Sequence, residues 1–253
     1  MPYTVQQIQE LFINRLVIDY DYVFCMTITK SRSPIFDHAQ QASFAILNEY
    51  KAARSAAGNP TPFALRVIDT QNLFAAQGIT AVEAVRLRDA GEGAPKIRAR
   101  LENLALHTHG YMIPRDLYYL RARARRKGDR SVGLLSAALG SALDIKPVLH
   151  CNRGETGPVA KIKGFEPAVE KLFAFTIKRI HAGLMTPTVC LSYGGELDEM
   201  RALPGYPELR RACAENNIEL FESVMSLTGM VNVGKGAMVV AFAMLRSGQA
   251  GLH

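Results

Sequence analysis

The sequence lacks most of the features that usually give a function away. Its 253 residues contain no uninterrupted apolar run of about 18 residues, the length a membrane-spanning helix needs. The opening MPYTVQQIQELF has neither the basic n-region nor the apolar h-region of a secretory signal. Four cysteines, Cys25, Cys151, Cys190 and Cys213, lie far apart with no C-x-x-C pair. They read as reduced, mostly buried thiols of a cytoplasmic protein. The common catalytic signatures are missing as well: no H-E-x-x-H, no G-x-S-x-G, and no G-x-G-x-x-G after a strand. Gly229–Gly236 (GMVNVGKG) falls short of a phosphate-binding loop, because Gly236 stands where magnesium would need a Ser or Thr hydroxyl. What survives of that reading is a glycine-rich turn whose backbone N–H groups could hold an anion such as a carboxylate.

What the chain does have is a globular composition and a basic balance. Its mean hydropathy is close to zero, so a packed core is expected. The net charge of +7 points to acidic partners, and much of the positive charge is gathered in Arg121, Arg123, Arg125, Arg126, Lys127 and Arg130. That run reads either as one docking surface or as a solvated helix face. A nucleic-acid partner ranks below these, since Tyr118 and Tyr119 are the only nearby aromatics suited to base stacking.

In chain order, Thr4 with Gln7 resembles a capping box, and Val5, Ile8, Leu11, Phe12 and Leu16 repeat at helical spacing. Tyr22–Thr29 and Phe63–Ile68 read as short buried strands, separated by a helix over Ile35–Ala57. A helix broken near Gly78 is expected over Leu73–Ala90, and another over Lys96–Leu106. Single buried strands alternating with helices imply an α/β class with a mainly parallel N-terminal sheet. In such sheets ligands sit beyond the carboxyl ends of strands, which puts Thr29–Ser33 and Asp69–Asn72 at a site mouth. From about Thr108 the pattern changes. Strands at His109–Ile113, Lys146–His150, Val159–Ile162, Thr188–Leu191 and Ile218–Val224 alternate with helices at Phe165–Ile180 and Glu196–Glu215, the latter broken at Pro204–Gly205, and Ala237–Met244 is the last element. The expectation is a second α/β unit with a mixed sheet, giving units of 1–107 and 108–253. His107 and His109, two residues apart, have metal-site spacing but no third ligand in view, so ordinary histidines and no metal are expected.

The hydroxyls of Thr27, Thr29, Ser31 and Ser33, with Lys30 and Arg32, suit an anionic headgroup through charge-assisted hydrogen bonds. Local capping by serine explains the same pattern equally well.

Several stretches in this order resemble one family: T-I-T-K-S-R-S at Thr27–Ser33, V-I-D-T at Val67–Thr70, and L-Y-Y-L at Leu117–Leu120 followed by basic residues and K-G-D-R. L-G-S-A-L-D-I-K-P-V-L at Leu139–Leu149, G-x-x-x-P-V-A-K at Gly154–Lys161 and N-V-G-K-G-A-M-V-V-A-F at Asn232–Phe242 complete the set. The order resembles the DegV family of bacterial fatty-acid-binding proteins over nearly the whole chain. The resemblance implies two α/β units holding one long-chain fatty acid, with the tail in the first unit and the carboxylate at the cleft between units. It also implies a carrier rather than an enzyme, without cofactor, presenting the acid to a fatty acid kinase. Each buried CH₂ of such a tail is worth about 0.8 kcal/mol. By position, the resemblance makes Thr29, Ser33, Asn232, Gly234 and Lys235 ligand-binding and Arg126 and Arg130 partner-docking. Asn232 stands where the family has a histidine, and Pro34 where it has a glycine. Met1–Thr4 aligns within the family's second conserved segment, so either the first strand is missing or the start is misassigned. The competing readings are a basic nucleic-acid binder and a phosphotransfer accessory protein using GMVNVGKG.

Overall fold

The structure, a computed structural model, describes residues 2–126 and 144–245. The first helix, Val5–Leu11, begins at Thr4 with the expected capping box. Thr4 Oγ1 accepts from the Gln7 N–H, and Gln7 returns the bond to the Thr4 backbone. It continues through a π turn at Phe12–Leu16 to Asp19.

Strands β1 (Tyr22–Thr27) and β2 (Ala64–Asp69) form a two-stranded parallel sheet, with helices Ile35–Ala45 and Tyr50–Ala56 crossing between them. Alternation splits their side chains. Val23, Cys25, Leu65 and Val67 face Ile8, Phe12, Ala42 and Ile46, whereas Phe24, Met26 and Ile68 face Ile97 and Leu101. Both faces are covered, as a parallel sheet requires. The expected long helix over Ile35–Ala57 is interrupted by a 3₁₀ turn at Ile46–Asn48.

Six further strands make a mixed sheet: β3 (Thr108–Ile113), β4 (Ile145–Asn152), β5 (Glu155–Lys163), β6 (Thr188–Tyr193), β7 (Glu219–Val224) and β8 (Met238–Ala243). Their spatial order is β5-β4-β3-β8-β6-β7, and the one parallel pair is β6–β7. Central β8 shows how the core divides. Met238, Val240 and Phe242 pack with Leu172, Phe173 and Phe175 of helix Phe165–Ala182, while Val239, Ala241 and Ala243 face helix Ala75–Asp89. These small side chains let that helix lie close to the sheet.

The close approach accounts for Gly78. No break occurs there; the helix runs unbroken, and a Cβ at Gly78 would sit 3.1 Å from Cys190 Sγ of β6. Glycine costs about 1 kcal/mol against alanine within a helix, and contact with the sheet is the compensation. The reading of Gly229–Gly236 as a glycine-rich turn also needs correction. Residues Leu227–Val233 form a helix capped by Ser226, and only Gly234–Gly236 turn into β8. Arg130 and residues 139–143 of the Leu139–Leu149 stretch lie outside the described residues; Arg126 ends helix Leu117–Arg126 and is exposed.

Candidate functional site

A cavity of about 320 Å³ lies on the β8 face of the mixed sheet. Its floor is Met112, Leu149 and Val239, which alternation and register place side by side. Leu120 of helix Leu117–Arg126 and Val233 of helix Leu227–Val233 cover it, and Leu73 and Phe74 close one side. Ile28 and Arg32 reach it from the segment beyond β1. The apolar space therefore lies over the mixed sheet, beside the segment that follows β1.

The segment after β2 is held tightly. Asn72 is fully buried; its Nδ2 donates to the carbonyls of Thr108 (2.8 Å) and Cys151 (3.3 Å), and its Oδ1 accepts from the Leu73 N–H. The Asn72 carbonyl accepts from the Thr29 N–H, so one asparagine links the segment after β1 to β3 and β4. Gly110 leaves the room for it, since a Cβ there would come within 2.8 Å of Asn72 Oδ1. Two residues on, Phe74 has φ +50° and ψ −130°, a conformation that bulky L-residues rarely adopt and that costs about 1–3 kcal/mol.

Three polar atoms on the cavity wall stand out. Arg123 Nε, Asn232 Oδ1 and Thr156 Oγ1 are buried with no hydrogen-bond partner among the described residues. Each such group costs about 1–3 kcal/mol unless something polar meets it. Arg123 lies three residues after Leu120, on the same helix face, so the helix that roofs the cavity also turns a guanidinium inward.

The expected site residues divide. Asn232 is on the wall, its Nδ2 donating to the Thr228 carbonyl. Thr29 is buried beneath the β4–β5 turn, with its hydroxyl 3.1 Å from that of Ser31, which donates to the Gly154 carbonyl. Ser33 accepts from the Ile35 N–H, which is local turn capping. Neither hydroxyl is part of the cavity lining. Gly234 and Gly236 have positive φ because the turn packs tightly. A Cβ would come within 3.1 Å of the Tyr119 ring at Gly234 and within 2.6 Å of Arg115 Cδ at Gly236. Their N–H groups are bonded to Met230 and Gly194 carbonyls, so they are not available to an anion. Lys235 is exposed on a separate open cleft with Arg115, Glu166, Tyr193 and Glu199.

His107 and His109 have different partners. His107 ends a helix, its Nδ1 donating to the Asn103 carbonyl, while His109 Nδ1 lies 2.9 Å from Nε2 of His150 on the neighbouring strand. The rings stack with Tyr111. Among the described residues no three metal-ligating side chains lie together. Burial, then the charge of His150, lowers His109 to about 3, and burial lowers His150 to about 4. Both rings are neutral when folded, whereas the unfolded chain protonates them near pH 6.5. Their stabilising contribution is complete above pH 6.5 and is lost as pH falls toward 4 and then 3. Urea unfolding at stepped pH should show stability dropping below pH 6.5 by at most about 1.4 kcal/mol per pH unit for each ring. His109→Gln should flatten that slope.

Cys151, at the cavity wall, is pushed up to about 12 by burial, so it remains a thiol. No helix among the described residues is long and apolar enough to cross a membrane.

Comparison with known proteins gives a consistent grouping. A family model described as the DegV family of uncharacterised proteins matches residues 1–245. A DegV domain-containing protein of Xanthomonas campestris pv. campestris is 73% identical over 242 residues, covering 96% of this chain and 77% of the relative. Among solved structures, a fat acid (stearic acid)-binding protein from Eubacterium ventriosum matches with TM-score 0.73 at 18% identity, covering 96% of this chain and 77% of that one. A Thermus thermophilus structure described as fatty acid binding of a DegV family protein matches with TM-score 0.70 at 19% identity, covering 96% and 78%. At such identities the likeness is one of fold.

Proposed function

The chain belongs to the DegV family, and from that premise we propose that it is a carrier that binds a long-chain fatty acid in the cavity over the mixed sheet. The observation carrying this reading is the buried Arg123 Nε, without a hydrogen-bond partner among the described residues, at the edge of an apolar floor. A guanidinium with an open donor suits a carboxylate, and Met112, Leu149 and Val239 suit an acyl chain. Asn232 sits beside the acid group, while Thr29 and Ser33 brace the segment that brings Arg32 to the cavity. The names of the solved relatives, which bind fatty acids, favour the same ligand class.

The protein acts by binding rather than by catalysis. In support, the one thiol on the wall is held protonated by burial and so is a poor nucleophile. Presentation of the acid to a kinase is part of the proposal, with exposed Arg126 on the roofing helix as a contact.

The test compares palmitic acid with hexadecanol, which share a chain but not a carboxylate, as competitors for a fluorescent fatty acid on the delipidated protein. The acid should compete at least about tenfold better. Equal competition would remove the carboxylate from the account, and no displacement by either would remove the ligand class.

A further inference from the structure

We propose that Phe74 sets the length of acyl chain that the cavity accepts, and that its unfavourable backbone conformation is what aims its ring inward. This inference rests on the carrier reading above. Phe74 lies at the junction of the Asn72 clamp and helix Ala75–Asp89, with φ +50° and ψ −130°. Asparagine or aspartate tolerates positive φ; a phenylalanine is held there only by its surroundings. Those surroundings are visible on both sides. Upstream, Asn72 is fixed by three side-chain hydrogen bonds and the Gln71 carbonyl accepts from the Gly154 N–H. Downstream, the helix starts at once and packs on the mixed sheet through Ala76 and Ile79.

The ring reaches helix Leu227–Val233 at a residue without a side chain. A Cβ on Gly229 would lie 3.4 Å from Phe74 Cε1 and 2.6 Å from Met225 Cγ. Both Phe74 and Gly229 line the cavity. The aromatic ring therefore fills volume continuous with the space for the acyl chain, against a helix that has made room for it. Positive φ swings Cβ away from the direction an ordinary φ would give, and relaxing it would turn the ring elsewhere. A segment that needed only to start a helix would use glycine here.

The variants Phe74→Ala and Phe74→Gly separate the two halves of the proposal. Delipidated wild type and variants are offered an equimolar series of saturated acids from lauric to arachidic, and the bound acids are extracted and weighed. Both variants should shift toward longer chains. The bound ratio of arachidic to myristic acid should rise roughly tenfold if about two further methylenes are accommodated. Without any ligand, Phe74→Gly should melt no lower than Phe74→Ala, reversing the usual order in which glycine is the less stable. An unchanged chain-length profile in variants that still take up acid would overturn the proposal while leaving the carrier reading intact. A clear stability advantage of alanine over glycine would overturn the strained conformation. No uptake by the wild type would overturn the carrier reading, and this inference with it.

Discussion

Arg54→Met is expected to destabilise the protein by about 3–5 kcal/mol, because three backbone carbonyls lose their donor at about 1–3 kcal/mol each. Arg54 is 1% exposed yet fully used. Its Nε donates to the Thr61 carbonyl, and its Nη1 donates to the carbonyls of Val17 (2.6 Å) and Tyr20 (2.7 Å). Its Nη2 bonds Asp21 and the Thr61 hydroxyl. The carboxyl of Asp21 is held below its ordinary range, first by the Thr61 hydroxyl and then by Arg54. One side chain thus pins the end of the first helix to the segment entering β2. Methionine keeps the stem packed but leaves three carbonyls without their donor. Lysine would not rescue it, since a single ammonium cannot reproduce the planar fork. Thermal melting should fall by about 10 °C or more for a chain of this size. A change within about 1 kcal/mol would mean that water reaches these carbonyls and the pin is dispensable.

Arg123→Gln is expected to weaken fatty acid binding by about 10- to 100-fold, the worth of a charge-assisted hydrogen bond to a carboxylate. The informative feature is the sign of the accompanying stability change. In the free protein Arg123 Nε is a buried donor without a partner among the described residues. Replacing it with a neutral, shorter group should leave the ligand-free protein as stable as before, or more so. Affinity and stability would then move in opposite directions, which a damaged fold cannot do. Calorimetric titration with oleate beside a ligand-free melt reads both. Loss of both together would make Arg123 structural.

The two sites differ in how far the sequence betrayed them. The opening helix was legible because Thr4 and Gln7 form a cap seen in local sequence alone. The strands were legible from short β-branched runs, and the break at Pro204–Gly205 from its punctuation: the helices run Leu197–Arg201 and Tyr206–Glu215. Helix Leu227–Val233 was missed because Gly229 and Gly234 signal a turn, and only tertiary packing against Phe74 and Tyr119 explains them. Asn232 was reached by resemblance, and the structure places it on the cavity wall. Arg123 was visible but undistinguished, one of several arginines in a basic run. Its spacing from Leu120 was the available signal, because residues three apart share a helix face. The pairing of His109 with His150 depends on the β3–β4 register, which no local pattern encodes. Thr29 and Ser33 drew notice as hydroxyls among cations after a strand, and in the fold the Thr29 hydroxyl meets that of Ser31 while the Ser33 hydroxyl accepts from the Ile35 N–H.

The most direct test of the account is a native mass spectrum of the delipidated full chain after incubation with oleate. The account predicts a complex of one protein with one oleate, abundant in the wild type and strongly depleted in Arg123→Gln at the same oleate concentration. A wild-type spectrum without that complex, or equal complex in the two proteins, would contradict it.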